Sequence, residues 1–388
     1  MEISRSKTIR RSSIALAIVA CFTLAACSGP GTTEAPTKAN DGNTGTDAPN
    51  ADTKTADRDA LIAQAQADGG LNLVWGESIE GGTAAFSNLE AGFKAYYDMP
   101  DFSISYTTGP SMPQMASTIA QEVQAGQEPT SDVFIGYATH YAALEAEGFD
   151  SFEKADWSWA ENVTEDSIAS TGVGVVTETS IPVISYSTRV TDPPTTLAEL
   201  ADARFEGKIG STPYAANFDY LGSDPMWGAE AGLTFIEGLT KNVTALNRCH
   251  NPEALTIGQY DVFAFDCDQG SIVKAKDEGE PVDYLIPSDA EMVVFIYAGI
   301  PKTSSHKAAA QLWINYMLTR EAQDILWDAA RTDSSLIEGS NIRAMIDEAE
   351  ADGSKFSYFP MDVVVTDSVM PGADYEQRVQ DLLNQIAQ

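Results

Sequence analysis

Apolar residues recur along this chain with two periods. From Asp59, the positions Leu61, Ile62 and Ala65 suit one face of a short helix that Gly69-Gly70 stop, and residues 71–75 then read as a strand. Phe102, Ile104 and Tyr106 alternate with serines, the pattern of a half-buried strand. Behind Ser111, Met115, Ile119 and Val123 recur every fourth residue until Gly126, which predicts an amphipathic helix. Residues 133–135 follow as a short strand. Strand, helix, strand and helix in this order predict a parallel sheet with crossover helices.

A second unit of the same kind begins farther on. Residues 172–176 and 181–186 form an extended stretch with flexible residues at its start, and Thr196 with Glu199 spells a capping box that opens a helix. Next come a strand at 208–210, helical spacing at Ala229, Leu233 and Ile236, and a buried strand at 262–265. Residues 293–300 make another extended run ending at Pro301; Leu312, Trp313, Tyr316 and Met317 then share a helical face, and Thr319 caps the next helix. The chain has no internal repeat.

At 388 residues the chain is long enough for two domains, and 43% hydrophobic with 21% charged residues is ordinary globular usage, which excludes global disorder. Against 57 acidic residues stand 23 Lys plus Arg, a net charge of -34 that repels phosphate backbones and excludes nucleic acid as a partner.

The N-terminus carries Arg5, Lys7, Arg10 and Arg11, then an apolar run at 14–26 too short to span a bilayer. Ser12-Ser13 do not suit a twin-arginine route, so Arg10-Arg11 reads as generic basic charge. The run ends in Leu24-Ala25-Ala26-Cys27, which resembles a bacterial lipobox. That resemblance implies a signal peptide at 1–26, cleavage before Cys27, and a palmitate-bearing lipoprotein anchored at the outer face of the cell membrane or in the periplasm. Residues 28–57 hold no aromatic or branched aliphatic side chain and read as a disordered tether from Cys27, with a reach on the order of 30 Å. With Cys27 lipidated, Cys249 and Cys267 are the pair left for a disulfide.

From about Leu71 to Asp328 the chain resembles the bacterial extracellular solute-binding proteins that serve ABC importers, in the group of ferric-ion and polyamine binders. The carriers are the opening strand at 71–75, Thr108-Gly109-Pro110-Ser111 before a helix, Gln124-Ala125-Gly126 leading to Ser131-Asp132-Val133, and Pro194-Thr195-Thr196-Leu197. Phe205-Glu206-Gly207-Lys208-Ile209, Gly258-Gln259-Tyr260-Asp261-Val262, Ile286-Pro287, Ile300-Pro301-Lys302 and Leu318-Thr319-Arg320-Glu321-Ala322 complete them, in order. The resemblance implies an α/β fold, a two-lobed clamp of the type II periplasmic-binding-protein kind with interlobe crossover strands. Lobe one is expected at 58–175 plus 297–388 and lobe two at 180–292. It further implies a monomer that closes over a solute and is recognised by an ABC permease.

The ligand signatures of that group are absent. Where ferric binders carry adjacent tyrosines, this chain has Phe265-Asp266-Cys267-Asp268-Gln269, and where polyamine binders place Trp and Asp it has Val294 and Ile296. The resemblance therefore carries architecture and transport role, not substrate. Strand C-terminal ends would bring four loops to a cleft. Glu77 and Ser78 lie in the first. Gly109 and Ser111 lead into a helix N-terminus, which suits an anion or is simply capped by Ser111. Tyr214 and Asn217 can stack on and hydrogen-bond a solute, while neighbouring Tyr220 reads as packing. Asp266 and Asp268 flank Cys267 and, on extended backbone, face one side as an acceptor pair or as a solvated acidic loop.

These eight residues are the expected ligand set for an amine, amino-acid-like solute, polyamine or cation complex, with ferric ion as the alternative. His140, His250 and His306 lie far apart and read as surface or loop residues, so no metal site or cofactor is expected. No nucleophile elbow, P-loop or zinc-protease helix occurs, so no enzyme is expected. A surface-anchored sensor or hydrolase uncoupled from import is the competing reading. The Trp157-Ser158-Trp159 cluster reads as packing.

Overall fold

The computed structural model describes residues 51–77, 79–146, 151–366 and 369–386. Cys27, the expected signal peptide and most of the expected tether therefore lie outside the described residues, as does Ser78. The first half runs α1 (Ala51–Asp68), β1 (Leu71–Trp75), α2 (Gly82–Tyr96), β2 (Ile104–Thr108), α3 (Met112–Gln124), β3 (Phe134–Tyr137), α4 (Ala138–Ala146) and β4 (Val175–Ser180). The middle holds β5 (Val183–Ser187), β6 (Ile209–Ser211), α5 (Phe218–Leu221), α6 (Ala229–Leu239), β7 (Val243–Leu246), α7 (Pro252–Ile257), β8 (Val262–Asp266), α8 (Gly270–Asp277) and β9 (Val282–Leu285). The last part is β10 (Met292–Gly299), α9 (Lys307–Met317), α10 (Arg320–Ala330), α11 (Asn341–Ala351), β11 (Ser357–Phe359) and α12 (Ala373–Ile386).

Two groups of sheet result, as the α/β expectation requires. In the first, β1 and β2 pair in parallel from Leu71 opposite Ile104 to Trp75 opposite Thr108, and Leu73 bridges Val133 beside β3. There β10 runs antiparallel to β3 and β4 and parallel to β11. The second is a five-stranded sheet in the order β7-β6-β8-β5-β9. Its β5 is antiparallel to both neighbours while β6 is parallel to both of its own.

The sheets are thus mixed where sequence order predicts parallel pairing. The chain crosses from β4 to β5, and back from β9 to β10, through short connections with no helix. Strands entered this way run against those delivered by crossover helices.

Packing follows the apolar periods. Leu71, Leu73 and Trp75 of β1 are buried with Leu89 and Phe93 of α2 and with Trp313 and Tyr316 of α9. Asn315 donates to the Tyr97 hydroxyl at 2.8 Å, and that hydroxyl donates to the Leu312 carbonyl at 2.9 Å, whereas the Trp75 ring N–H and the Tyr316 hydroxyl are buried in the same layer without a hydrogen-bond partner among the described residues. Trp157 and Trp159 are buried in the same core, as expected of packing residues. Val183, Leu255, Phe263 and Ile272 form a smaller core beside the five-stranded sheet.

Two local expectations change. Helix α1 begins at Ala51, inside the stretch read as tether, because 51–65 supply alanines among polar helix formers and Ala65 packs in the core toward α9. The Thr196 box forms only in part: Glu199 N–H donates to Thr196 Oγ1 at 3.3 Å, but the Glu199 carboxylate accepts from Thr195 N–H at 3.4 Å, and the segment opens only a 3-10 turn at Ala198–Ala201. Asp202 is already extended, with ψ 143°, so no helix continues. Thr319 caps α10 as expected, accepting from Ala322 N–H.

The C-terminal helix α12 packs on α5, α6 and β7 of the second group. Tyr375 is its anchor, donating to the Phe218 carbonyl at 2.9 Å. Gly222 makes room for it: a Cβ there would sit 2.3 Å from the Tyr375 ring. No helix among the described residues is long and apolar enough to cross a membrane.

Candidate functional site

A cleft of about 1090 Å³ is lined by strand-end loops of both sheet groups and by the segments around α10 and α12. From the first group, β1 and β2 end side by side and deliver Glu77, Gly109 and Ser111 to it. Glu77 Oε2 accepts from Thr83 and Thr108 hydroxyls at 2.7 and 2.9 Å, and Oε1 accepts from Thr83 N–H at 3.0 Å. The Thr83 bond and its companions outweigh partial desolvation, so the carboxyl is held below its ordinary value and stays ionised. No described cation pairs with it. Ser111 stands at the N-cap of α3 without capping it; its hydroxyl donates to Gln114 Oε1 at 3.2 Å.

From the second group come Tyr214, Asn217 and Asp268. The Tyr214 hydroxyl accepts from Cys249 N–H at 3.4 Å, and Asn217 Nδ2 donates to the Asp266 carbonyl at 2.9 Å. Tyr220 is buried and packs on Phe359 with ring centroids 5.0 Å apart and tilted by 57°, a packing role as expected.

Asp266 and Asp268 do not form the expected matched pair. Phe265 has φ 58°, which breaks the alternation of extended backbone just before them. Asp266 turns inward, 4% exposed, and accepts from the Ser185 hydroxyl, His250 N–H and Cys267 N–H at 3.1, 3.1 and 3.0 Å. Asp268 alone reaches the cleft, where its Oδ1 accepts from Gly270 N–H at 2.7 Å and lies 3.4 Å from His250 Nδ1.

The histidines differ from their expected surface placement, since His140 and His250 both line the cleft. His140 Nδ1 accepts from Tyr137 N–H at 3.1 Å, and burial lowers the ring to about 4, so it is neutral at pH 7. Burial acts against a charge on His250 too, but Asp268, Asp266 and Glu178 overcome it and push the ring up to about 9. His306 lies elsewhere, with Nδ1 3.0 Å from Asp132 Oδ2.

Two carboxyl groups absent from the sequence-based set lie against the cleft floor. Glu178 of β4 lines it, and Glu80 is buried behind at 1% exposure. Burial pushes Glu178 up to about 7 despite a 2.8 Å bond from the Thr332 hydroxyl. Glu80 is raised well above the carboxyl range by burial and then by Glu178. Glu178 had one sequence signal, a lone charge inside an otherwise uncharged extended run; Glu80 had none.

Strained backbone gathers at the same place. Glu80, Ala216, His250 and Phe265 all have φ between 43° and 63°, in loops that build the cleft. Such conformations cost free energy and persist where surrounding structure fixes them, as at ligand sites. Cys249 and Cys267 are joined by a disulfide with Cα atoms 5.6 Å apart, which holds two of these loops together.

A search of curated proteins gives no match. Among solved structures, the substrate binding protein of an ABC transporter from Agrobacterium tumefaciens is similar at 14% identity and TM-score 0.65, over 81% of this chain and 95% of that one. The binding protein AgtB from A. tumefaciens R10, solved with agropinic acid, gives 17%, 0.61, 80% and 98%. Iron-bound HitA from Pseudomonas aeruginosa gives 16%, 0.59, 82% and 99%. At such identities these likenesses establish the periplasmic-binding-protein fold. Residues 91–335 match the family described as bacterial extracellular solute-binding protein, more than half of the chain, and the chain belongs to that family.

Proposed function

We propose that this protein is the lipid-anchored, extracellular solute-binding component of an ABC importer, which takes a small solute bearing positive charge into the cleft and delivers it to a permease. The two lobes are residues 58–175 with 297–388, and 180–292, with α12 lying against the second. The direct crossings at β4–β5 and β9–β10 are the hinge. Closure is favoured to the extent that solute binds the closed form better than the open one.

The observation that supports this reading most is Glu77, an ionised carboxylate on the cleft wall with hydroxyl partners and no described cation. Asp268 stands across on the second lobe with His250 beside it, and Glu178 lies on the floor. The ionised Glu77 on one wall, and Asp268 with its His250 partner on the other, suit an amine, an amino acid held by its ammonium, or a cation complex, while Glu178 adds an acceptor that gives up its proton when a cation binds. The neighbours in fold hold ligands as unlike as iron and agropinic acid, so fold does not select the solute. The unpaired Glu77 carboxylate is what favours a cationic one, although Arg248 and Lys274 also line the cleft. Binding residues are Glu77, Ser78, Gly109, Ser111, Tyr214, Asn217 and Asp268, with Asp266 holding the loop beneath.

A thermal-shift screen of amino acids, polyamines, ferric salts, sugars and sugar phosphates tests the solute class. Ligand at 100 times its Kd adds about 2.7 kcal/mol, a readable rise in midpoint. An amine or amino acid as the stabiliser supports the reading; a sugar phosphate overturns it, and ferric ion alone selects the metal branch. Mass spectrometry of the membrane fraction tests the anchor, and an unmodified Cys27 or an intact N-terminus overturns it.

A further inference from the structure

The disulfide stands in the middle of a set of metal-ligating atoms. The sulfurs of Cys249 and Cys267 and a ring nitrogen of His250 all lie within 4.8 Å of one another, and all three residues face the cleft. While the sulfurs are bonded to each other they offer no thiolate. We propose that reduction of this disulfide opens a site for a zinc-class divalent cation, with Cys249, Cys267 and His250 as ligands, Asp268 as the residue that orients the imidazole, and the fourth position open to the cleft.

Zinc takes thiolate sulfur at about 2.3 Å and imidazole nitrogen at about 2.0–2.1 Å, so ligand atoms of a tetrahedral site lie about 3.3–3.8 Å apart. On reduction the two sulfurs, no longer bonded, must move apart to that spacing, while the ring nitrogen starts within 4.8 Å of both. Asp268 Oδ1 lies 3.4 Å from His250 Nδ1, which leaves Nε2 as the nitrogen for a metal. This is the carboxylate–histidine pairing that fixes tautomer and ring orientation at metal sites. Asp266, accepting from His250 and Cys267 N–H groups, puts a second carboxylate behind two of the three ligands.

The chemistry balances with a dithiol reductant acting at the outer face. The dithiol gives two electrons and two protons, the S–S bond breaks into two thiols, and the reductant leaves as a disulfide. A divalent cation then displaces the two thiol protons to water and binds both thiolates.

Cobalt(II) titration of the whole exported protein, oxidised and after treatment with a phosphine reductant, tests this independently of the solute. The reduced protein is expected to bind one equivalent with thiolate-to-cobalt charge transfer and tetrahedral d–d absorption, and the oxidised protein to show neither. Asp268→Asn should weaken cobalt binding about 10- to 100-fold while keeping the charge-transfer band. His250→Ala should weaken it at least as much and change the d–d spectrum. A reduced protein that keeps its circular dichroism yet shows no charge transfer overturns the proposal. So does loss of the fold on reduction, or an unchanged spectrum and affinity in His250→Ala.

Discussion

The backbone N–H of Glu80 donates to the Glu178 carboxylate at 3.2 Å, bringing together two glutamates 98 residues apart in the chain. The Thr177 hydroxyl donates to Glu80 Oε1 at 3.0 Å and the Thr332 hydroxyl to Glu178 Oε2 at 2.8 Å, which leaves Glu80 Oε2 buried without a partner among the described residues. With no described cation between them, two buried carboxyl groups this close are stable only when protons are retained on them. The pair ties the loop after β1 to strand β4 and to the segment after α10, so its protonation bears on how firmly these three segments are held together.

This makes stability pH-dependent in a defined direction. Glu178 is raised from its ordinary value of 4.5 to about 7, so its stabilising contribution is fully present below about pH 4.5 and is lost as pH rises through 7. Glu178→Gln should therefore stabilise the unliganded protein at pH 8 by about 2–3 kcal/mol and flatten the fall in unfolding free energy between pH 5 and 7. Denaturant titrations at several pH values read this out. His250 adds a separate loss between about pH 6.5 and 9 that the substitution leaves in place.

His140 works in the opposite sense. Its ring is lowered from 6.5 to about 4 by burial, so its contribution is present above pH 6.5 and is lost as pH falls through 4. His140→Gln should reduce the acid sensitivity of the midpoint between pH 6 and 4 while leaving stability at pH 8 within about 1 kcal/mol. An unchanged acid limb would show that the ring takes up its proton without cost.

The Cys249–Cys267 bond closes a loop with a sequence separation of 18. Loop entropy assigns it about 3 kcal/mol. The double substitution Cys249→Ser, Cys267→Ser should lower the unfolding free energy by roughly that amount, measured in denaturant.

At the C-terminus, Tyr375→Phe removes one buried hydrogen bond and should cost about 1 kcal/mol. Gly222→Ala should cost more, because its Cβ would sit 2.3 Å from the buried Tyr375 ring and push α12 off the second sheet group. Limited proteolysis should then release α12 first.

Much of this fold was legible locally. The strand at Leu71–Trp75, the helix behind Ser111, the Thr319 cap and the Cys249–Cys267 pairing follow from period, turn residues and cysteine parity. The antiparallel course of β10 was not, because pairing direction depends on which connections cross between sheets. The cleft loops were legible as loops, and Glu77, Gly109, Ser111, Tyr214, Asn217 and Asp268 do line the cleft. What sequence withheld was polar partnership. Asp266 turns inward to meet Ser185, and Glu178 meets Thr332, across separations of 81 and 154 residues that no local pattern spans.

If carboxylates on the two cleft walls hold a positively charged solute, neutralising one of them must weaken binding. Calorimetric titration of the amine or amino acid that best stabilises the protein, into wild type, Glu77→Gln, Asp268→Asn and Asp266→Asn, tests it directly. A micromolar solute binds with about -8 kcal/mol, and loss of one charged contact of about 2–3 kcal/mol weakens it roughly 30- to 150-fold. That loss is expected for Glu77→Gln and for Asp268→Asn, and a smaller one for Asp266→Asn, whose main effect is on stability. Unchanged affinity in both Glu77→Gln and Asp268→Asn would contradict it.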